Sequence, residues 1–519
     1  MSTGLPERLR ALLRPAAYPH AVHGVQLVET HISWVFLTGE LAYKLKKPVQ
    51  FPFVDLRSVE RRAFFCAEEL RLNRRFAPEL YLRICSVTLD AEHACIDGQG
   101  EVIDHAVCMH QFRAADELGA LLANGELAPA ALAAFGRELA RLHQGLPRAD
   151  GREPWGRPES VRALLLRNLA ECQQAAEQLD VARWPQSLGD SYQSRIEAAA
   201  ASMASRRAAG RVRECHGDLH AGNIARFAGR LLPFDCIEFE PAFRWIDVAE
   251  EIATLYMDLH ARRVAAHAQA FVGGYLFETG DYSACRLLHL YGAHRALVRA
   301  KVAALRAAHA PEVQTRAASR EEYGQYLDCA RELLAERRPR LILMCGLSGS
   351  AKTWLAERLA SSLGAVHVRS DIERKRLAGL SAEQRSGAAL DQGLYSAAMS
   401  TATYERLRQC AAATLDGGIS VIVDATCQRR AERRRLSSLG PECHAEVRLV
   451  FCHAPSEVLE SRIAARERAG ADASEADRRV LELQQARFEP IDADEGLRVI
   501  DADTTRVDVV SQVLQQLGR

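Results

Sequence analysis

Apolar residues recur along this chain in two rhythms, and the switches between them mark its elements. Ser33-Trp34-Val35-Phe36-Leu37-Thr38 reads as a β-strand closed by a turn at Gly39-Glu40, and residues 41–48 read as a second strand. Arg57 to Arg75 carries Phe64, Phe65, Leu70 and Leu72 at helical spacing and stops before Pro78, which predicts one helix. Strands are expected again at 81–89 and 105–111, and the stretch from Leu127 to Arg207 is Ala-rich and helical. Two short apolar runs, 224–227 and 231–234, flank Ala228-Gly229-Arg230 and predict a hairpin. A helical series then opens at Arg244 and runs to about residue 337, whereas residues 1–30 fix no element.

Beyond a charged stretch at 331–340 the character changes. Leu341-Ile342-Leu343-Met344-Cys345 is a continuous apolar run, the signature of a strand buried on both faces of a parallel sheet. Similar runs follow at 365–368, 420–423, 446–452 and 498–500, separated by helical stretches, which predicts a doubly wound α/β domain. A chain of 519 residues exceeds what one core supports, so two domains are expected, 1–330 and 340–519.

Composition narrows the partners. Lys+Arg and Asp+Glu both number 67, so no global charge marks a nucleic-acid or membrane binder. The N-terminal twenty residues are interrupted by arginines and read as no signal peptide, and no run is long enough to span a bilayer. The 14 cysteines include no C-x-x-C pair and several sit inside apolar runs (Cys236, Cys345, Cys452), which fits buried thiols in a cytoplasmic protein.

The chemistry concentrates in two stretches. In His216-Gly217-Asp218-Leu219-His220-Ala221-Gly222-Asn223, an acid and an amide stand five positions apart, and the hairpin that follows ends in Asp235. Phosphoryl transfer needs such a set: Asp218 to orient and deprotonate a hydroxyl, Asn223 and Asp235 to hold Mg²⁺ on nucleotide phosphates. In the second stretch, Gly346-Leu347-Ser348-Gly349-Ser350-Ala351-Lys352-Thr353 joins a buried strand to a helix, as a P-loop does. Its backbone N–H groups, from Gly346 through Gly349 and Ser350, would wrap phosphates, with Lys352 on the β/γ-phosphates and Thr353 on Mg²⁺. Ala351 replaces the usual glycine, at a cost of order 1 kcal/mol if its φ must be positive. Asp424 at a strand end fits a second Mg²⁺ ligand, and Asp371 fits a group that binds or deprotonates an acceptor hydroxyl. Arg462 and Arg466 lie one helical turn apart before Gly470, a placement suited to a lid closing over phosphate.

With His-Gly-Asp in the catalytic loop, the first stretch resembles the aminoglycoside phosphotransferase branch of the kinase-like superfamily. The resemblance implies a bilobal protein-kinase-like N-terminal domain beside the doubly wound P-loop domain, a fold of α/β and α+β class. It also implies a strand lysine for the α/β-phosphates, which falls on Lys44 rather than Lys46, and a helix carboxylate to pair with it, Glu69 of Glu68-Glu69. The protein-kinase Gly-rich loop is absent. Asp247 resembles the acid that buttresses the catalytic loop in this family, and Glu238, Glu240, Glu250 and Glu251 crowd the exit, where they would receive a cationic substrate. Residues 340–519 resemble small-molecule P-loop kinases of the gluconate-kinase and chloramphenicol-phosphotransferase type. The order of the whole chain resembles bacterial two-domain proteins that join these two parts. The implied activity is that of a bifunctional ATP- and Mg²⁺-dependent phosphotransferase on a small-molecule hydroxyl acceptor. The missing Gly-rich loop and Ala351 point to the alternative, a nucleotide-regulated binding or signalling protein with one silent domain.

Overall fold

The computed structural model describes residues 4–51, 54–90, 93–178, 184–310, 312–382, 384, 396–469 and 477–518. The chain divides into two compact units, Met1–Ala128 with Leu142–Ser160 and Arg207–Asp258, and Pro129–Arg141 with Val161–Arg206 and Leu259–Arg519.

In the first unit, strands β1 (Gln26–Glu29), β2 (Ser33–Leu37), β3 (Leu41–Lys46), β4 (Tyr81–Asp90), β5 (His93–Ile96) and β6 (Glu101–His110) form an antiparallel sheet of order β1-β2-β3-β6-β4-β5. Alternation along β3 decides what each face does. Tyr43 and Leu45 pack with Trp34, Phe36, Cys85, Val87, Ala106 and Cys108 under Leu9 and Leu12, so the N-terminal stretch that fixed no element in sequence caps this face. Ala42, Lys44 and Lys46 face the other way, the side on which Ala42 packs with Cys66 of the helix Val59–Asn73. That helix starts where Ser58 accepts the Arg61 N–H, two residues inside the expected boundary.

The rest of this unit builds the loop 216–223. Strand β7 (Val212–Glu214) leads into it, and β8 (Ile224–Phe227) and β9 (Arg230–Pro233) form the expected hairpin, with Phe227 opposite Arg230. The sequence expectation of a helix from Arg244 fails over three residues. Strand β10 (Trp245–Asp247) pairs antiparallel with β7, and the helix begins only at Val248. The Cys215 N–H donates to the Arg244 carbonyl at 2.7 Å, so β7 claims the backbone that a helix would have used.

In the second unit, β11 (Arg340–Cys345), β12 (Val366–Arg369), β13 (Val421–Asp424), β14 (Glu446–His453) and β15 (Val499–Asp503) form a parallel sheet of order β12-β13-β11-β14-β15. Ile342, Met344, Ile422, Val450 and Ile500 meet Leu355, Leu359, Val509 and Val513 of the covering helices in one core. Every strand ends at the same edge, and β11 stands between strands reached in opposite directions, which is where such sheets bind ligands. All 14 cysteines are free thiols, and among the described residues no helix is long and apolar enough to cross a membrane.

The helices Pro129–Gly145 and Ala265–Thr279 approach backbone to backbone. A Cβ on Gly274 would overlap the Ala133 carbonyl, and one on Gly136 would overlap that of Phe271. Gly274→Ala is therefore expected to lower the melting temperature. The overlap costs about 2 kcal/mol and outweighs the ~1 kcal/mol gain in helix propensity. Calorimetry on the full chain checks this, and a raised melting temperature would contradict it.

Candidate active sites

The first site assembles around alternating charges. Glu69, fully buried, forms an ion pair with Lys44 at 2.8 Å through one oxygen and accepts from Lys46 at 2.7 Å through the other. Lys44 also contacts Asp235, and Lys46 contacts Glu238. The row therefore runs Asp235, Lys44, Glu69, Lys46, Glu238, negative at both ends. Burial alone would raise the Glu69 carboxyl, but the two lysines outweigh it and hold it down to about 2. Asp235 is the accessible end, with 45% of its side chain exposed. Its φ of 65° is left-handed for a non-glycine residue, and the Tyr81 hydroxyl accepts its N–H at 3.1 Å.

The loop presents Asp218 with 39% of its side chain exposed. The Asn223 amide nitrogen donates to the Asp218 carbonyl at 3.0 Å, which leaves the amide oxygen as the end offered to a cation. Gly217 explains why this loop reads His-Gly-Asp: its φ is 90°, and a Cβ would lie 2.7 Å from the Phe243 carbonyl oxygen. His216 accepts the Asp218 N–H on Nδ1 at 3.3 Å, so Nε2 carries the proton donated to the Phe234 carbonyl at 2.8 Å. Burial keeps that imidazole neutral, its pKa lowered to about 4.

The loop is braced by Glu251, which sequence reasoning placed at the exit of the site, and by Asp258, which it did not single out. Both carboxylate oxygens of Glu251 accept loop amides, from His216 at 2.6 Å and Gly217 at 3.0 Å, and Asp258 accepts from Ala221 at 2.8 Å. Asp247, expected as the buttress, accepts from Ala249 at the start of its own helix. The expected acidic receptor for a cationic substrate dissolves in the same way. Glu238 meets Lys46, Glu240 caps the turn at Pro241–Arg244, Glu251 braces the loop, and Glu250 is buried.

The second site lies at the C-terminal edge of the parallel sheet, around a cavity of about 610 Å³. Gly346 and Gly349 adopt φ of 142° and 80°. A Cβ on Gly346 would strike the Cys452 carbonyl, and one on Gly349 would lie 2.6 Å from that of Leu459. Ala351 sits at φ 58°, ψ 26°, the left-handed region anticipated from its place in the motif. Lys352 donates to the Leu347 carbonyl at 2.8 Å, and Thr353 donates to Asp424 at 2.7 Å. His367 on β12, which sequence reasoning missed because a lone strand histidine carries no motif, lies 3.3 Å from the same Asp424 oxygen. Burial would raise the Asp424 carboxyl, but His367, Lys352 and Thr353 together hold it down to about 2. Ser350 is buried, and its hydroxyl oxygen has no hydrogen-bond partner among the described residues. A loop of amides with an orphan hydroxyl, a lysine and a Thr–Asp pair is the donor set that phosphate and a divalent cation require.

Asp371 lines this cavity and accepts from Arg374 at 3.0 Å. Arg462 and Arg466 line it too, on the helix Ser456–Ala469. Arg462 is held in place, donating to the Thr504 hydroxyl and carbonyl, each at 2.9 Å, and to the Gly349 carbonyl at 3.3 Å. Gly470 and the loop after it lie outside the described residues.

A family model described as the phosphotransferase enzyme family matches residues 56–288, and one described as the AAA domain matches residues 341–491. Uncharacterized proteins of Mycobacterium tuberculosis and Mycobacterium bovis are each 32% identical over 472 residues, covering 90% of this chain and 91% of theirs. Among solved structures, a gluconokinase from Sinorhizobium meliloti 1021 is 23% identical with a TM-score of 0.25, covering 35% of this chain and 94% of that one. A choline/ethanolamine kinase family protein from Mesorhizobium loti is 13% identical with a TM-score of 0.33, covering 62% and 98%. A phosphotransferase-family domain and an AAA domain thus follow one another along the chain.

Two outcomes follow from this geometry. The folded Glu69 value lies below the ordinary 4.5, so its ion pairs stabilise fully above about 4.5 and that contribution is lost as pH falls towards about 2. Glu69→Gln should lower stability at pH 7 by about 3 kcal/mol and flatten the acid slope in that window. Urea denaturation at stepped pH checks it, and an unchanged slope contradicts it. Ala351→Gly removes about 1 kcal/mol of left-handed strain that the folded loop already carries, so it should raise stability by about 1 kcal/mol and leave the affinity for a fluorescent ATP analogue within about twofold. Urea denaturation and titration of both proteins decide, and a several-fold gain in affinity with unchanged stability would contradict it.

Proposed function

The chain belongs to the family that joins a phosphotransferase-family domain to a P-loop AAA domain, and on that premise we propose a bifunctional ATP-dependent phosphotransferase acting on hydroxyl groups of small molecules. The observation that carries the proposal is duplication. Each site combines a lysine, a carboxylate apt for a divalent cation and a second carboxylate open to an acceptor: Lys44, Asp235 and Asp218 in one, Lys352, Asp424 and Asp371 in the other.

In the first site, Asn223 and Asp235 would hold Mg²⁺, and Lys44, kept extended by Glu69, would steady the phosphates. In the second, Gly346, Gly349, Ser350 and Lys352 would cradle phosphates, Thr353 and Asp424 would hold Mg²⁺, and Arg462 and Arg466 would flank the nucleotide. When bound, Mg·ATP supplies the transferable phosphoryl group. The chain's own part is proton transfer and orientation. Asp218 takes the acceptor proton in one site, and Asp371, oriented by Arg374, receives the hydroxyl in the other. The reading extends to a cytoplasmic enzyme on small acceptors, with no nucleic-acid or membrane partner, and the balanced charge of the chain supports it. One observation favours a second reading, a nucleotide-regulated binding protein with a silent P-loop domain: the strained Ala351.

ADP release from wild type, Asp218→Ala and Lys352→Ala, with and without a panel of hydroxyl-bearing metabolites and aminoglycosides, tests the proposal. An acceptor should raise the rate, and each substitution should remove its own site's share by about 10²–10⁴-fold. Nucleotide binding with no acceptor-dependent release would favour the binding-protein reading instead.

A further inference from the structure

Asp371 opens onto the P-loop cavity, and Glu373, two residues on along the helix Ser370–Leu377, points about 200° away around the axis. Glu373 is fully buried. Two guanidinium groups meet it: Arg376 from its own helix, and Arg406 from the helix Ala397–Asp416, which donates at 2.9 Å. Each arginine has further N–H groups to satisfy, and both find acceptors at the end of the helix Ala265–Thr279. Arg376 donates to the Phe277 carbonyl and Arg406 to the Gly280 carbonyl, each at 2.6 Å. These carbonyls belong to the last turn and the C-cap, where a helix has unpaired acceptors and the negative end of its dipole. Gly280 has φ 63°, and a Cβ there would lie 2.6 Å from Arg376 Nε, so the approach leaves no room for a side chain.

The contact continues beyond the cluster. Arg286 pairs with Asp416 at 3.0 Å, and the Gly417 backbone abuts the Cys285 carbonyl closely enough to exclude any side chain. All these residues belong to one compact unit.

We propose that Glu373 is a positioning residue of the P-loop site: through Arg376 and Arg406 it fixes the Asp371 helix to the end of the helix Ala265–Thr279, making that helix a structural part of the P-loop kinase. The role given to Asp371 rests on the phosphotransferase reading, whereas the clamp does not. An ion cluster of this kind holds geometry, because removing one member leaves the others charged and buried.

Hydrogen exchange on the full-length protein tests the clamp. In Glu373→Gln, amides of 370–377 and 276–284 should exchange about tenfold faster or more, while β11 stays within about twofold of wild type. Glu373→Asp, which keeps the charge, should restore most of the protection. If Glu373→Gln fails to fold, Arg406→Lys reads the same peptides, since lysine keeps the charge and loses the two-pronged contact. Unchanged exchange at 370–377, or a rise matched in β11, overturns the proposal. With an acceptor in hand, Glu373→Gln should raise the acceptor KM about tenfold and leave the KM for ATP within about twofold, and an equal change in both also overturns it. If no Lys352-dependent turnover exists, the phosphotransferase reading falls and the exchange result still decides the clamp.

Discussion

A carboxylate taken out of water must be met by cations or by backbone N–H groups, and that requirement organises both sites of this chain. Glu69, Glu251 and Glu373 are fully buried, and Asp424 nearly so. Each is answered from another element: Glu69 from β3, Glu251 from the loop 216–223, Glu373 from a neighbouring helix as well as its own, Asp424 from the P-loop helix and β12. A buried pair of this kind contributes little net stability against an apolar substitute, but it is costly to break from one side. Its effect is to fix the separation of the elements it joins. The candidate site carboxylates Asp218, Asp235 and Asp371 stay partly exposed on the scaffold these pairs set.

What could be read from the sequence was the chemistry that is local in the chain. The spacing from Asp218 to Asn223, the hairpin that delivers Asp235, and the run from Gly346 to Thr353 are each contained in a short stretch, so a linear motif preserves their geometry. The strands were legible for the same reason. Residues 33–38, 224–227 and 341–345 announce themselves by continuous or alternating apolar residues, and the structure shifts their limits by a residue at most. The choice of Lys44 over Lys46 rested on motif, and the geometry adds a reason, since only Lys44 reaches Asp235.

What stayed hidden depends on partners far along the chain. Glu251 binds amides 34 and 35 positions away, and nothing near it in sequence distinguishes it from Glu250. His367 meets Asp424 across 57 positions, and the N-terminal turns that cover the first sheet are defined only by what they cover. The misread start of the helix at Arg244 belongs here too. Its local pattern is helical, and the pairing of β10 with β7 overrides it.

Gly217, Gly346 and Gly349 have positive φ where a neighbouring carbonyl leaves no space for a side chain, so their identity follows from packing as well as torsion. Asp235 and Ala351 have positive φ with side chains present. At Asp235 the side chain meets Lys44, and the strain comes with delivering it beyond the hairpin. At Ala351 the methyl group has no partner in the chemistry, yet the loop adopts the left-handed turn regardless. The turn is set by its surroundings: Gly346 and Gly349 pressed against β14 and the helix after it, Thr353 bound to Asp424, and Lys352 turned back onto Leu347. The left-handed shape of this loop is thus imposed by its contacts and does not depend on glycine at every position where the motif usually has it.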